Sequence, residues 1–176
     1  WDFTAIQDVC NTTSGGTPLT DHPEYYGGEI PWLTTSELQD NFVSETKYKI
    51  TEAGLKNSSA KKIPPNSTII AMYGATISKT CINTKEMTTN QACCVLIPKK
   101  EKLVDTYFLQ QILIYFRSLI VSLGQGAGQP NISQDFLRKF QIPFPPLPEP
   151  VCRVPSSRAP LAEGAETPRF ERDRAR

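Results

Sequence analysis

Three apolar runs, each the length of a strand and each bounded by turn-forming residues, constrain this chain more than any other feature. Residues 68–73 open with the β-branched Thr68-Ile69-Ile70 just after Pro64-Pro65-Asn66-Ser67, and Gly74-Ala75 parts them from a second run at 77–83. The third, Ala92-Cys93-Cys94-Val95-Leu96-Ile97, shows no polar alternation at all. β-branched runs between glycine and proline punctuation predict strands, and a strand that never alternates predicts burial on both faces. Adjacent Cys93 and Cys94 then point to opposite sides of a sheet and cannot hold one ion together.

Helical signals are fewer. Asp105 is placed to cap the one long helix, about 106–123, with Phe108, Ile112, Tyr115, Leu119 and Leu123 on the face expected in the core and Gly124 at the position of a terminal glycine. Thr34-x-x-Glu37 is a capping box for one short turn. Thr51-Glu52-Ala53-Gly54-Leu55 starts another short helix, ended by Asn57-Ser58-Ser59, and Ser133 caps a last one that stops before Ile142-Pro143-Phe144-Pro145-Pro146. Ser14-Gly15-Gly16-Thr17-Pro18 and Tyr26-Gly27-Gly28 carry turn chemistry. The expected fold is α+β: a single compact domain over residues 1–147 with a twisted mixed or antiparallel sheet, several short helices and one longer helix, without internal repeats.

The length, 176 residues, leaves room for one domain and an appendage. Nineteen basic against 18 acidic residues give a net charge of +1, which excludes a polybasic binder living on phosphate charge alone. The longest apolar stretch, 112–123, is interrupted by Arg117 and is too short and polar to span a bilayer, so no membrane partner is expected. Trp1-Asp2-Phe3 has neither the basic nor the apolar region of a signal peptide, and a start other than Met suggests a processed or excised piece. Five cysteines, an odd number with no C-x-x-C pair, point to a reducing compartment and a cytoplasmic location. His22, the one histidine, falls in the turn-like Thr20-Asp21-His22-Pro23 and reads as a solvated loop residue. Composition shifts near position 150: residues 1–150 hold 11 Lys and 2 Arg, whereas 151–176 hold 6 Arg and no Lys. This atypical Pro/Arg-rich tail, taken from 148, has no apolar periodicity; it is expected to be disordered or held by unrelated contacts, and its Lys-to-Arg switch suggests another coding origin such as a shifted reading frame.

Patterns that suggest catalysis fail on inspection. Gly74-Ala75-Thr76-Ile77-Ser78-Lys79-Thr80 has the Lys-Thr of a phosphate-binding loop, but that loop needs glycines at 73 and 78, where Tyr73 and Ser78 stand. Pro23-Glu24 with Glu45-Thr46-Lys47 matches metal-nuclease spacing only loosely, and Glu24 lies in a turn. The Pro-Pro pairs, Ile63-Pro64-Pro65-Asn66 and Phe144-Pro145-Pro146-Leu147, lack the preceding Asn or Asp that an adenine methyltransferase needs to hold its target amine. The chain reads as non-catalytic, with no cofactor and no metal.

What remains is a set of polar, glycine-rich loops with aromatics. In order along the chain stand Gly16-Thr17-Pro18, Gly28-Glu29-Ile30-Pro31-Trp32-Leu33, Ile50-Thr51-Glu52-Ala53-Gly54-Leu55-Lys56-Asn57-Ser58-Ser59-Ala60 and Met72-Tyr73-Gly74-Ala75-Thr76-Ile77-Ser78-Lys79. Thr89-Asn90-Gln91-Ala92, Gly124-Gln125-Gly126, Gln129-Pro130-Asn131-Ile132-Ser133 and Ile142-Pro143-Phe144-Pro145-Pro146-Leu147 follow. In these blocks the sequence resembles a target recognition domain of the specificity (S) subunit of type I restriction–modification enzymes, with Ser78 where that family usually has Gly.

The resemblance implies sequence-specific recognition of half of a bipartite target on double-stranded DNA. A methyltransferase (M) subunit, and through it a restriction/translocase (R) subunit, would then carry out the chemistry. Short loops bearing amides and Lys suit base edges and phosphates, which makes Tyr73, Thr76, Lys79, Gln125, Gln129 and Asn131 DNA-binding candidates, with Tyr25 and Thr35 from earlier turns. Gly16-Thr17-Pro18, Ile30-Pro31-Trp32 and Gly74-Ala75-Thr76 are read mainly as turns that define the fold, and Trp32 as a packed anchor. The chain departs from the family at Pro150: in the family Pro-Pro-Leu is followed by Pro-Glu-Gln or a similar start and a long spacer helix. Here Leu147-Pro148-Glu149 is followed by Pro150 and a tail without a heptad pattern, which puts assembly with the methyltransferase in doubt. Two alternatives stay open: a small metal-dependent nuclease or a fragment of a fused restriction–methylation enzyme, and a decoy that occupies a methyltransferase without binding DNA.

Overall fold

The computed structural model describes residues 1–99, 104–124 and 131–144. The expected boundary at 147 and the tail beyond it lie outside the described residues. At the centre is a five-stranded mixed sheet. Its strands are β2 (Cys10–Ser14), β4 (Asn41–Val43), β6 (Thr68–Ala71), β7 (Thr80–Asn83) and β9 (Cys93–Pro98), in the order β2-β9-β6-β7-β4. All neighbours are antiparallel except β4 with β7. The three apolar runs are thus its three middle strands, shortened at the hairpin because residues 72–79 form the turn. A second sheet joins β5 (Tyr48–Ile50), β3 (Tyr26–Leu33) and β8 (Thr88–Thr89), and β1 (Asp2–Ala5) pairs with β10 (Gln141–Phe144). The α+β class with a mixed sheet and short helices is what the sequence led us to expect.

Period-2 alternation assigns the two cores. Cys94 and Leu96 of β9 join Ile70 on one face, against Leu109, Leu113, Ile120 and Leu137 from the helices; Cys93 and Val95 join Ile69, Ala71 and Cys81 on the other, against Leu33, Leu38, Val43, Ile63 and Met87. Each fully buried Leu or Ile contributes about 1.5–3 kcal/mol relative to exposure, so this doubly covered sheet is the main source of stability. The cysteines Cys10, Cys81, Cys93 and Cys94 are unpaired and buried. Burial pushes the thiols of Cys10, Cys81 and Cys94 up to about 12, and Cys93 also rises, so none supplies a reactive thiolate.

Three expectations need correction. The long helix is two: α3 (Thr106–Tyr115) and α4 (Arg117–Leu123), bent by 64° at Phe116, whose φ of −86° and ψ of 7° leave the helical region. Leu109, Gln110 and Leu113 of α3 and Ile120 of α4 are the buried residues, Phe108 and Ile112 only partly so, while Tyr115, Leu119 and Leu123 stay 80%, 45% and 50% exposed. The expected stripe is thus off by one residue in α3, ahead of the bend, where the core takes Leu109 and Leu113 rather than Phe108 and Ile112, and again in α4, where it takes Ile120 rather than Leu119. Gly124 has φ −62°, so it meets no left-handed requirement. Tyr26-Gly27-Gly28, read as a turn, is the irregular start of β3: pairing with β5 jumps from Tyr26 to Ile30, and Gly27 takes up the irregularity at φ 74°. The remaining helices are short: α1 (Ile6–Val9), α2 (Glu52–Lys56) capped by Thr51, and α5 (Gln134–Lys139) capped by Ser133. Among the described residues no single helix is long and apolar enough to cross a membrane.

Candidate nucleic-acid interface

The hairpin between β6 and β7 is built from a tight ladder. Ala71 N donates to Lys79 O (2.9 Å) and Ser78 N to Ala71 O (2.8 Å), which leaves Gly74 and Ala75 exposed at the tip, Gly74 with φ 87°. Tyr73 and Ile77 turn inward, partly buried against the helix-side core, so Tyr73 anchors the hairpin as well as flanking its tip. Thr76 and Lys79 are half-buried, joined by Lys79 N donating to Thr76 O (2.9 Å).

Strand directions bring other loops to the same end of the sheet. Met72 O accepts from Ile132 N (2.8 Å), which sets exposed Asn131 beside the hairpin, and Met72 N donates to Ala92 O (2.8 Å). Asn90 N donates to Leu33 O (3.0 Å), and after Leu33 comes a 3-10 turn, Thr35–Glu37, closed by the anticipated capping box in which Thr34 N donates to Glu37 Oε2 (3.0 Å). Asp40 N then donates to Thr80 O (2.7 Å), returning that loop to the hairpin base. Of the candidates, Thr35, Tyr73, Thr76, Lys79 and Asn131 share this edge. Tyr25 does not: it ends a 3-10 turn, Pro23–Tyr25, at the opposite end of β3, stacked on His22 (4.8 Å between centroids) with its carbonyl accepting from Thr51 N (2.9 Å). Gln125 and Gln129 lie outside the described residues.

Two charged groups that the sequence did not single out organise this edge. Asp40 Oδ1 accepts from Arg117 Nη2 (2.5 Å), Thr80 N (3.1 Å) and Thr80 Oγ1 (3.0 Å), and Oδ2 from Lys79 Nζ (3.2 Å). Arg117 Nε donates to Ser78 O (3.1 Å). Burial pushes the Asp40 carboxyl up, but the hydrogen bonds from Arg117, the Thr80 amide, Lys79 and the Thr80 hydroxyl outweigh it, and the net shift is below the usual carboxylate range. The signal for Arg117 was the single charge breaking an apolar run, read at first only as an argument against a membrane span. Lys79, expected to face DNA freely, is already ion-paired.

Ser78 stands at φ 62°, buried, with its Oγ lacking a partner. A left-handed β-carbon costs about 1–2 kcal/mol and a buried unpaired hydroxyl adds to it, partly offset by the entropy that glycine brings to the unfolded chain. Ser78→Gly should therefore stabilise by about 1 kcal/mol and raise the melting temperature by about 2–4 °C. A lower melting temperature would show that the hydroxyl is engaged after all.

The glycine and tryptophan blocks serve the fold. Gly16 N donates to Thr89 O (2.9 Å), and Gly16 O accepts from the indole of buried Trp32 (3.0 Å). Thr17 Oγ1 donates to Gln91 Oε1. The carboxylates of the loose nuclease pattern do not converge: Glu24 pairs with His22 (2.8 Å) at the start of β3, and Glu45 pairs with Lys85 (2.8 Å) near its other end. Glu24 holds the His22 imidazole above its ordinary value by hydrogen bonding. Among the described residues no three His, Cys, Asp or Glu side chains come together as metal ligands.

Comparison with known proteins gives a consistent picture. Residues 1–151 match the family described as type I restriction modification DNA specificity domain. The type I restriction enzyme MjaIX specificity subunit of Methanocaldococcus jannaschii is 30% identical over 153 residues, covering 82% of this chain and 34% of its own. The EcoR124I/EcoR124II specificity subunit of Escherichia coli is 28% identical over 161 residues, covering 84% and 38%. A solved chain of a type I R-M system superposes with a TM-score of 0.63 at 19% identity, over 84% of this chain and 34% of that one, a likeness of fold. The chain spans about a third of the length of the curated relatives it matches.

Proposed function

The chain belongs to the type I restriction modification DNA specificity domain family, and from that premise we propose that it reads one half of a bipartite duplex DNA target without catalysing a reaction itself. One observation supports this above the rest: a single end of the central sheet gathers Thr35, Tyr73, Thr76, Lys79 and Asn131 from three separate loops tied by main-chain hydrogen bonds. Polar side chains on loops that are fixed to one another can present donors and acceptors to base edges in a constant register, which free loops cannot do. Asn131, exposed beside the hairpin, is suited to bidentate pairing with adenine. Gln125 and Gln129 of the neighbouring block carry the same amide chemistry. Methylation and cleavage fall to partner methyltransferase and translocase subunits.

A half-site domain of near-neutral charge releases few counterions. Titrated with labelled duplexes at low salt, the isolated chain should bind weakly and with little sequence preference; nanomolar, selective binding by the monomer would contradict the half-site reading. Sequence reading is tested on the domain joined to an intact spacer and reconstituted with a methyltransferase. There Asn131→Ala should lose about 1–3 kcal/mol on the cognate site only, whereas a phosphate contact weakens all sequences alike. Unchanged cognate methylation would remove Asn131 from the reading set. Metal-dependent cleavage of plasmid DNA by the purified chain would favour the nuclease alternative instead.

A further inference from the structure

The ion cluster at the base of the hairpin joins a backbone segment, a strand and a helix through one carboxylate. Asp40 Oδ1 is filled by Arg117, the Thr80 amide and the Thr80 hydroxyl, whereas Oδ2 holds Lys79 alone, at 3.2 Å. Exposure follows the same division: the side chains of Asp40 and Arg117 are 21% and 27% exposed, that of Lys79 39%. Guanidinium, ammonium, amide and hydroxyl are also the donors that would hold a phosphate oxygen. The carboxylate therefore sits among donors of the kind that a DNA backbone would use, and only one of them, Lys79, is exposed enough to change partner without unfolding the hairpin.

We propose that Asp40 is a positioning residue that occupies Lys79 as an internal counter-anion in the free domain and yields it to a backbone phosphate when the hairpin seats on duplex DNA. This rests on the DNA reading above and adds a means of restraining unspecific binding. A lysine held by a carboxylate contributes little to attraction at a distance, and its exchange to phosphate becomes favourable only when the loops around it also fit. Arg117 and Thr80 keep the hairpin in place during the exchange, because their bonds go to Oδ1 and to Ser78 O.

Asp40→Asn separates the charge from the geometry. Asparagine tolerates the left-handed backbone at position 40 (φ 60°), and its carbonyl still accepts from Thr80 and Arg117, but it no longer retains an ammonium. With a labelled duplex of mixed sequence followed over a salt series, the Asp40→Asn chain should bind about three- to tenfold more tightly than the unaltered chain at low salt. Its logarithmic salt slope should steepen by about 0.9, one phosphate contact. Adding Lys79→Gln should abolish both gains. Equal affinity and slope for the unaltered and Asp40→Asn chains would overturn the proposal while leaving the DNA reading intact, as would a gain that survives Lys79→Gln. No binding by any variant at the lowest salt would overturn both. Should Asp40→Asn fail to fold, Lys79→Gln alone decides, on the cognate duplex with the domain reconstituted on a spacer with its methyltransferase. There the slope must flatten by about 0.9, while on mixed sequence, where Asp40 keeps Lys79, it stays the same, and an unchanged slope on the cognate duplex sinks the exchange.

Discussion

Gly16→Ala should cost about 3–5 kcal/mol, enough to leave much of the chain unfolded at physiological temperature. A β-carbon at position 16 would lie 2.4 Å from Ala60 N and 2.5 Å from Ser59 C, both backbone atoms that cannot swing away as a side-chain tip would. Relieving that overlap moves the Gly16 peptide, which carries two bonds at once: its amide donates to Thr89 O (2.9 Å) and its carbonyl accepts the Trp32 indole (3.0 Å). Loss of the second leaves a buried indole N–H unpaired and loosens the aromatic cluster in which Trp32 meets Tyr26 (5.9 Å) and Tyr48 (6.5 Å) edge to face. Overpacking contributes about 1–3 kcal/mol and each hydrogen bond about 1 kcal/mol. A denaturant titration reads the sum. Retention of all but about 1 kcal/mol would mean that the Gly16-Thr17-Pro18 block is not a fold-defining turn and is open to a contact role.

That block shows how far the sequence carries. Turn chemistry at Gly16-Thr17-Pro18 and the packing of Trp32 were legible because they follow from local rules: a proline after small residues, and an indole that needs a partner when buried. The doubly covered strand was legible for the same reason, since residues 92–97 contain no polar position to face water, and adjacent Cys93 and Cys94 do part to opposite cores. β1 and β10 were not. Asp2-Phe3-Thr4-Ala5 and Gln141-Ile142-Pro143-Phe144 pair across almost the whole described sequence, and Pro143 argues against a strand unless one knows that the sheet has only two strands.

The helix break failed for a subtler reason. Residues 106–123 hold no glycine or proline to mark an interruption, and Phe116 itself, packed on Phe140 at 5.9 Å, is as helix-compatible as its neighbours. What bends the segment is tertiary: Arg117 leaves the apolar stripe to reach Ser78 O and Asp40 on the sheet side. The candidate edge is hidden from the sequence on the same ground. Thr35, Lys79 and Asn131 are far apart along the chain, and only strand order tells that they end together while Tyr25 ends elsewhere.

Removing that one side chain tests the tertiary explanation directly. Arg117→Ala should lose about 2–3 kcal/mol at neutral pH, the worth of two hydrogen bonds from a guanidinium, one of them to a carboxylate, in a mostly buried setting. The loss should depend on acidity in a definite direction. Asp40 is held below its ordinary value in the folded chain, so its contribution is fully present above the unfolded value of about 3.9 and disappears as pH falls through the lower folded one. Arg117 is the first-named hydrogen-bond donor behind that depression, with the Thr80 amide, Lys79 and the Thr80 hydroxyl beside it. The gap between the two chains should therefore hold constant from neutrality down to about pH 4 and narrow below it, as Asp40 takes up its proton in both. The part that survives in acid measures the Ser78 carbonyl bond and the packing of the arginine stem. Far-ultraviolet circular dichroism of the two chains against denaturant, at a series of pH values, supplies every quantity needed. A gap that stays the same from neutrality through strong acid would show that Arg117 acts only through the Ser78 carbonyl bond and its packing, and that the ion pair with Asp40 contributes nothing to holding the hairpin.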